Sequence, residues 1–312
     1  MKQLARTLLL TCTVLALAYG CSGTGFSTMS REDARKQYSS NNEVLGFLNI
    51  ADEAEQFCKT EYGIATKPDI LRFLSGSGEA LFWKLTSVKP MSLEPVTTLV
   101  FSKKEAALAK KTALEQEGKE VFITPYNPLA VNGKPAPLME TWVSWPYERK
   151  VERVMQVLMY QFVSKTLKRK DSEPLARFLA EKATEEFLRK KLNPASPILA
   201  RYISEQRDAR TFAVLFPDFT ERVRNVYQNK DPSLTPEAIQ KTRTMLLTAW
   251  LADYRLKYAD RFLTNNYVQF GNPIPNDAEI AAWEDDFAQW KTYNTAFMKA
   301  NETLAAYLAT LK

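Results

Sequence analysis

The sequence predicts an α+β protein, mainly α: a helical domain with a small sheet. Three observations predict it. After Pro146 apolar residues recur at three- and four-residue spacing almost to the C-terminus, with prolines at the ends of the periodic segments. Between Leu81 and Thr124 the pattern changes to short runs of β-branched and aromatic residues. The run from Val154 to Val163 is apolar on nearly all sides, which suits a helix through the centre of the molecule.

Taken in order, the chain opens with Lys2 and Arg6 ahead of an apolar stretch, Leu8–Ala18, and then Ala18-Tyr19-Gly20-Cys21. This is the layout of a secretory signal, and it is too short to span a bilayer. Gly20 before Cys21 is similar to a lipobox, so residues 1–20 are expected to be removed and Cys21 to carry lipid. A plain signal peptide cleaved nearby is the alternative. Residues 21–42, polar and rich in Ser, Gly and Thr at their start, are expected to be a tether. Residues 43–312 are expected to form a single domain.

Within it, Leu45, Leu48, Ala51, Ala54 and Cys58 mark a helix that stops at Gly63. Strands are expected at Leu81–Val88, Val96–Phe101 and Val121–Ile123. A helix carrying Ala106, Leu108, Ala113 and Leu114 separates the last two and ends at Gly118. A proline-rich stretch follows, with Trp142 and Trp145 behind it. Aromatics there either cover the edge of a core or meet a ligand, and the covering role is the commoner one. Val151–Lys170 and Leu175–Leu188 read as two helices joined by D-S-E-P. Thr235-Pro236 starts a further helix, whose expected buried stripe is Ile239, Met245, Leu246, Ala249, Trp250, Tyr254 and Leu256. Trp283, Phe287, Trp290, Phe297, Leu304, Tyr307 and Leu308 supply the packing face of the last helices.

Composition narrows the chemistry. The chain has 312 residues and no histidine, which removes histidine-held zinc, Ser-His-Asp and Cys-His catalysis, and imidazole acid–base work. No Ser has a Lys three residues later, so a Ser-x-x-Lys pair is also absent. The formal charge of +6 would lose Lys2 and Arg6 with the signal. An exported chain of so small a balance gives no reason to expect nucleic acid as a partner. Cys58 would be the one remaining thiol, expected to be a buried small hydrophobe without a disulfide.

Several segments, in order, carry a resemblance. Phe82-Trp83-Lys84-Leu85 is followed by Lys89-Pro90-Met91-Ser92-Leu93-Glu94-Pro95-Val96-Thr97; Lys104–Ile123 runs from an Ala- and Glu-rich helix through a glycine into a strand. Pro137-Leu138-Met139-Glu140-Thr141 and Leu263-Thr264-Asn265-Asn266 come later. Together these resemble a bacterial zinc aminopeptidase family of exported, often lipid-anchored proteins. The resemblance implies a zincin-like scaffold in which a helix bears H-E-x-x-H, two imidazoles and a Glu base, and an Asn-Glu pair on the next helix completes the zinc ligands. Here the apolar run aligns Tyr160-Gln161-Phe162-Val163-Ser164 with that motif and Ala180-Glu181 with the Asn-Glu pair. Tyr160 and Ser164 would stand at the histidine positions, Gln161 at the base, and Glu181 as the retained ligand. Zinc is the family's cofactor, yet no metal is expected to be held by this set. The same residues also suit a bland reading, in which they fill space and bond one another. Glu181 could equally be an ordinary acid paired with Lys182. Lys165, Lys168, Arg169 and Lys170 at the helix end read first as dipole-complementing cations, and second as an anion patch.

The expectation is therefore a pseudo-enzyme: an envelope lipoprotein at the outer membrane facing the periplasm, held through Cys21, binding a peptide or an envelope protein in a groove between the sheet and Val151–Lys170. One alternative is a hydrolase rebuilt on carboxylates such as Glu181 and Glu185 with Mg²⁺ or Ca²⁺. Another is a purely structural lipoprotein with the groove closed by side chains. Glu185-Glu186 and Asp285-Asp286, being adjacent on helices, point apart and make poor catalytic pairs.

Overall fold

The computed structural model describes residues 27–66, 70–76, 78–169, 171–228, 233–287 and 289–311, with the backbone alone at 285 and 286. The expected signal segment, Cys21 and Lys170 lie outside these residues. Of the expected tether, the part from Thr28 onward is structured, contrary to expectation. Thr28–Met29 (β1) pairs antiparallel with Phe73–Leu74 (β2). Arg31–Gln37 (α1) is capped by the Ser30 hydroxyl and buries Ala34. Its Arg31 and Arg35 bond Asp52 and Glu55 of the next helix, so segment 31–37 is docked by charge pairs that a composition count does not reveal.

That next helix, α2, spans Asn42–Tyr62 and matches its sequence signals at both ends. The Asn41 side chain accepts from the Glu43 and Val44 amides, and Gly63 closes the helix at a left-handed φ of 65°. The sheet is also as expected. Phe82–Val88 (β3) is central, flanked antiparallel by Thr97–Phe101 (β4) and Glu120–Tyr126 (β5). Lys104–Gln116 (α3) packs Leu114 against Leu85 and Val121. Short pairings follow at Ala130–Val131 (β6) with Lys134–Pro135 (β7), and Leu138–Met139 (β8) runs parallel beside β2. A 3₁₀ turn, Glu140–Ser144, buries Trp142 and leads into the central hairpin.

The hairpin consists of Tyr147–Gln161 (α4), a π-helical turn Phe162–Thr166, and Ser172–Lys191 (α5). Val151, Val154, Val157, Leu158 and Val163 are fully buried, so the apolar run does pass through the core. Cys58 packs there too, its Sγ 3.5 Å from the Met155 sulfur; burial pushes its thiol up to about 12, a small hydrophobe as expected. This cluster joins α1, α2, β2, β8, α4 and α5 to the C-terminal helices described below.

A second apolar cluster is built by Pro197–Gln228 (α6), Pro236–Leu256 (α7), Tyr258–Arg261 (α8) and part of Asp277–Phe287 (α9). Much of it is aromatic: Phe212, Phe216, Phe219, Tyr254 and Phe270 meet edge-on or stacked. The stripe expected on α7 needs correction. Met245 and Leu256 are 64% and 82% exposed, and the buried face is Arg243, Leu247, Leu251 and Tyr254. Arg243 heads that face because it pairs with Asp277, itself fully buried, at 2.8 Å; a charge taken inside with its partner can occupy an inner position. α9 places Ala278 and Ala281 on Val88, covering the sheet face opposite α3. Trp290–Lys299 (α10) and Leu304–Leu311 (α11) bury Phe297, Leu304, Tyr307 and Leu308 against α5 and α2. No helix among the described residues is long and apolar enough to cross a membrane.

Candidate functional site

The expected site residues come from both arms of the hairpin, so its register decides which of them meet. Tyr160 feels the charge of Glu173, and Glu152 feels the charge of Glu181. In an antiparallel pair these facts agree, since Glu152 precedes Tyr160 by as many residues as Glu173 precedes Glu181. That interval is about 12 Å of helix. Glu181 therefore sits two turns away from the level of Tyr160, and the expected grouping of Tyr160, Gln161 and Ser164 with Glu181 is not formed. The acid opposite Tyr160 is Glu173. The apolar run that set the alignment fixes position along α4 but says nothing about which residues of α5 lie across from it.

At the Tyr160 level several polar groups are held by one another, while the buried Arg153 Nε has no partner. Tyr160 is half-buried, and the Ser164 hydroxyl one turn on donates to the Gln161 carbonyl at 3.5 Å. Glu173 accepts from Arg177 at 2.7 Å, from the Tyr126 hydroxyl at 3.3 Å and from the Leu129 amide at 3.5 Å. Beside it Arg153, only 5% exposed, donates to the Asn127 and Pro128 carbonyls at 3.2 and 2.9 Å and to Gln156 at 3.1 Å. Its guanidinium also lies over the Trp142 ring, 4.5 Å from the centroid. Burial, then the neighbouring Arg177 charge, brings Arg153 down to about 9. Two guanidinium groups thus tie the end of β5 to the hairpin. One of them, Arg177, holds the carboxylate, while Arg153 grips the β5 loop through its backbone.

Glu181 belongs to a different network, one level up. It is 8% exposed and bonds Lys182 at 2.8 Å and Arg210 of α6 at 3.1 Å, with the Trp290 indole nitrogen 3.5 Å away. Lys182 also faces the rings of Phe178 and Phe297. Glu152 pairs with Arg149 at 3.1 Å, and Arg149 reaches Glu205 at 2.7 Å. Burial, with Glu181 nearby, holds the Glu152 carboxyl above its ordinary range. The network binds α4, α5, α6 and α10 together. Glu185 is taken by Arg189 and Arg210, and Glu186 by Tyr62 and the Leu304 amide. Arg169 pairs with Asp171, and Lys165 and Lys168 stand exposed. The side chains of Asp285 and Asp286 lie outside the described residues.

The donor set at the Tyr160 level does not fit zinc. Zinc takes imidazole, thiolate or carboxylate. This face offers two amides (Gln156 and Gln161), a phenol, a hydroxyl and one carboxylate already held by an arginine. Burial and the Glu173 charge push the phenol further from its anionic form. Arg153 and Arg177 would repel a cation. Among the described residues no three His, Cys, Asp or Glu side chains gather as a metal-holding group. Gln156, Glu173, Arg153, Arg177 and Tyr126 were missed from the sequence. The turn expected at D-S-E-P would set Tyr160 opposite Glu185, so Glu173 became visible only once the structure ended α4 at Gln161 and began α5 at Ser172.

A helical hairpin braced by a three-stranded sheet and a C-terminal helical layer defines the class of protein. A family profile described as putative aminopeptidase matches residues 36–312, and the chain belongs to that family. Neither a curated protein nor a solved structure matches it.

Proposed function

We propose that this chain is a non-catalytic member of the aminopeptidase family, serving as a binding or scaffolding protein of the bacterial envelope. The observation that carries the reading is the lack of any histidine in the chain, with Glu181, the one ligand the resemblance retains, held by Lys182 and Arg210. Two cations already share the carboxylate that a zinc ion would need. Gln161 and Gln156 cannot take a proton from water, and the absence of histidine leaves no substitute. A rebuilt carboxylate hydrolase gains no support from Glu181 and Glu185, since both are spent on Lys182, Arg189 and Arg210.

The decisive experiment measures zinc content and hydrolysis of aminoacyl-p-nitroanilides on protein purified from zinc-supplemented cells. The expected outcome is sub-stoichiometric zinc and no turnover. Stoichiometric zinc together with chelator-sensitive turnover would overturn the reading. The envelope placement rests on Cys21 as a lipid attachment residue at the outer membrane, facing the periplasm, with membrane lipid as its first partner and a peptide or envelope protein as its second. Cys21→Ala should move the protein from the membrane fraction to the soluble periplasmic fraction; unchanged fractionation would count against lipidation.

A further inference from the structure

A cleft of about 570 Å³ lies between one face of α2 and the segment entering α4, and no role given so far uses it. It is remote from the Tyr160 level: Tyr147, on its wall, precedes Tyr160 by about 20 Å of helix. Three of its features together point to one class of ligand.

The first is an aromatic platform. Trp145 is 36% exposed and packs, tilted at 32°, on buried Trp142 with ring centroids 5.3 Å apart. The indole is thereby fixed from below while part of it meets solvent, which lowers the entropy a ligand must overcome to stack on it. The second is the glycine at position 46, in the middle of α2 and on the cleft wall. A Cβ built there meets nothing within 4 Å, and its φ is not positive, so neither packing nor backbone geometry requires glycine. Glycine weakens a helix interior relative to alanine. What it provides here is bare helix wall opposite the aromatic side of the cleft.

The third is polarity without net charge. Asn42 and Asn49 share the α2 face with Gly46, and Ser144 lines the other side. Amides and hydroxyls both donate and accept hydrogen bonds. Of the charged lining, Glu53 is paired with Lys191 at 3.3 Å, Glu43 and Lys150 are one acid and one base, and the Lys150 ammonium donates to the Val143 carbonyl at 3.1 Å. With Lys191 counted, acids and bases at the cleft balance, so the lining favours neither sign of charge in a ligand. A ligand whose groups each donate and accept, and which has an apolar face to lay on an indole, fits all three features.

We propose that this cleft binds a neutral saccharide, with a pyranose ring stacked on Trp145 and its hydroxyls bonded by Asn42, Asn49 and Ser144. The proposal stands whether or not the chain is catalytic. The full-length protein is titrated by calorimetry with chitotetraose, maltotetraose and cellotetraose, with an uncharged tetrapeptide as comparison. At least one saccharide is expected to bind with a Kd of about 1 mM or tighter. Trp145→Ala should weaken it by roughly tenfold or more, and Trp145→Phe by less. Gly46→Phe, which adds a ring where space is open, should abolish binding while leaving the unfolding transition cooperative. Failure of all three saccharides at about 10 mM overturns the proposal. So does binding that Trp145→Ala and Gly46→Phe leave intact, or binding of the tetrapeptide alone.

Discussion

Towards the C-terminal end of α4, Gln156 and Glu173 are tied by Arg153 and Arg177, whereas at its N-terminal end Trp145, Asn49 and Glu43 stand around open space. One helix thus carries both a polar site whose partners are internal and a polar cleft whose groups are left for something else. The difference lies in accounting for hydrogen bonds rather than in residue type, because both ends mix amides, hydroxyls and acids. Buried polar groups must be satisfied within the fold. Exposed ones can remain available at little cost.

The largest test of this contrast is Arg153→Ala against Trp145→Ala. Removing Arg153 strands the Asn127 and Pro128 carbonyls and takes a cation from beside Glu173. The expected loss is about 3–5 kcal/mol of folding stability. Trp145→Ala should cost only about 1 kcal/mol, as its ring is partly in solvent. Urea unfolding of both variants decides it, and equal losses would break the comparison. A smaller effect, of opposite sign, is expected at the open end. Gly46→Ala should stabilise α2 by about 1 kcal/mol, because the new methyl meets open space. A loss instead would mean that the wall is packed.

The smallest expected effect concerns pH on the closed side. The folded state holds the Glu152 proton more tightly than the unfolded chain does, through burial and the Glu181 charge. Its contribution to stability is therefore greatest at low pH and is lost as pH rises through the raised folded value. Glu152→Gln keeps an acceptor for Arg149 and removes that titration. The melting temperature of the variant relative to the parent should rise between about pH 4 and pH 7, and a relative fall would show that the Arg149 ion pair outweighs the desolvation.

Much of the fold was legible because its signals are local. Asn41 and Gly63 at the ends of α2, the β-branched runs of β3 to β5, and Thr235-Pro236 at the start of α7 all act over one turn or one strand. Misreadings arose where distant charges decide the outcome. Segment 31–37 docks through Arg31 and Arg35 onto acids more than fifteen residues away. Arg243 takes an inner position on α7 because Asp277 waits for it. Trp142 and Trp145, read as one kind of residue, divide between covering the core and facing the cleft. At the site, the missing histidines were plain, and the pairing across the hairpin was not. An alignment guided by apolar residues slides along α4 freely, while the turn between the arms fixes Tyr160 against Glu173.

The Arg153–Glu173–Arg177 arrangement bears on what placing a metal ligand on this face would cost. A single histidine restored on this face would enter beside two fixed positive charges and find no metal to share. A single arginine removed would leave backbone carbonyls or Glu173 without their donors. Either change would lower stability before any activity could reward it. The hairpin therefore resists change at this level: a substitution that frees its polar groups would cost stability before it could supply new chemistry.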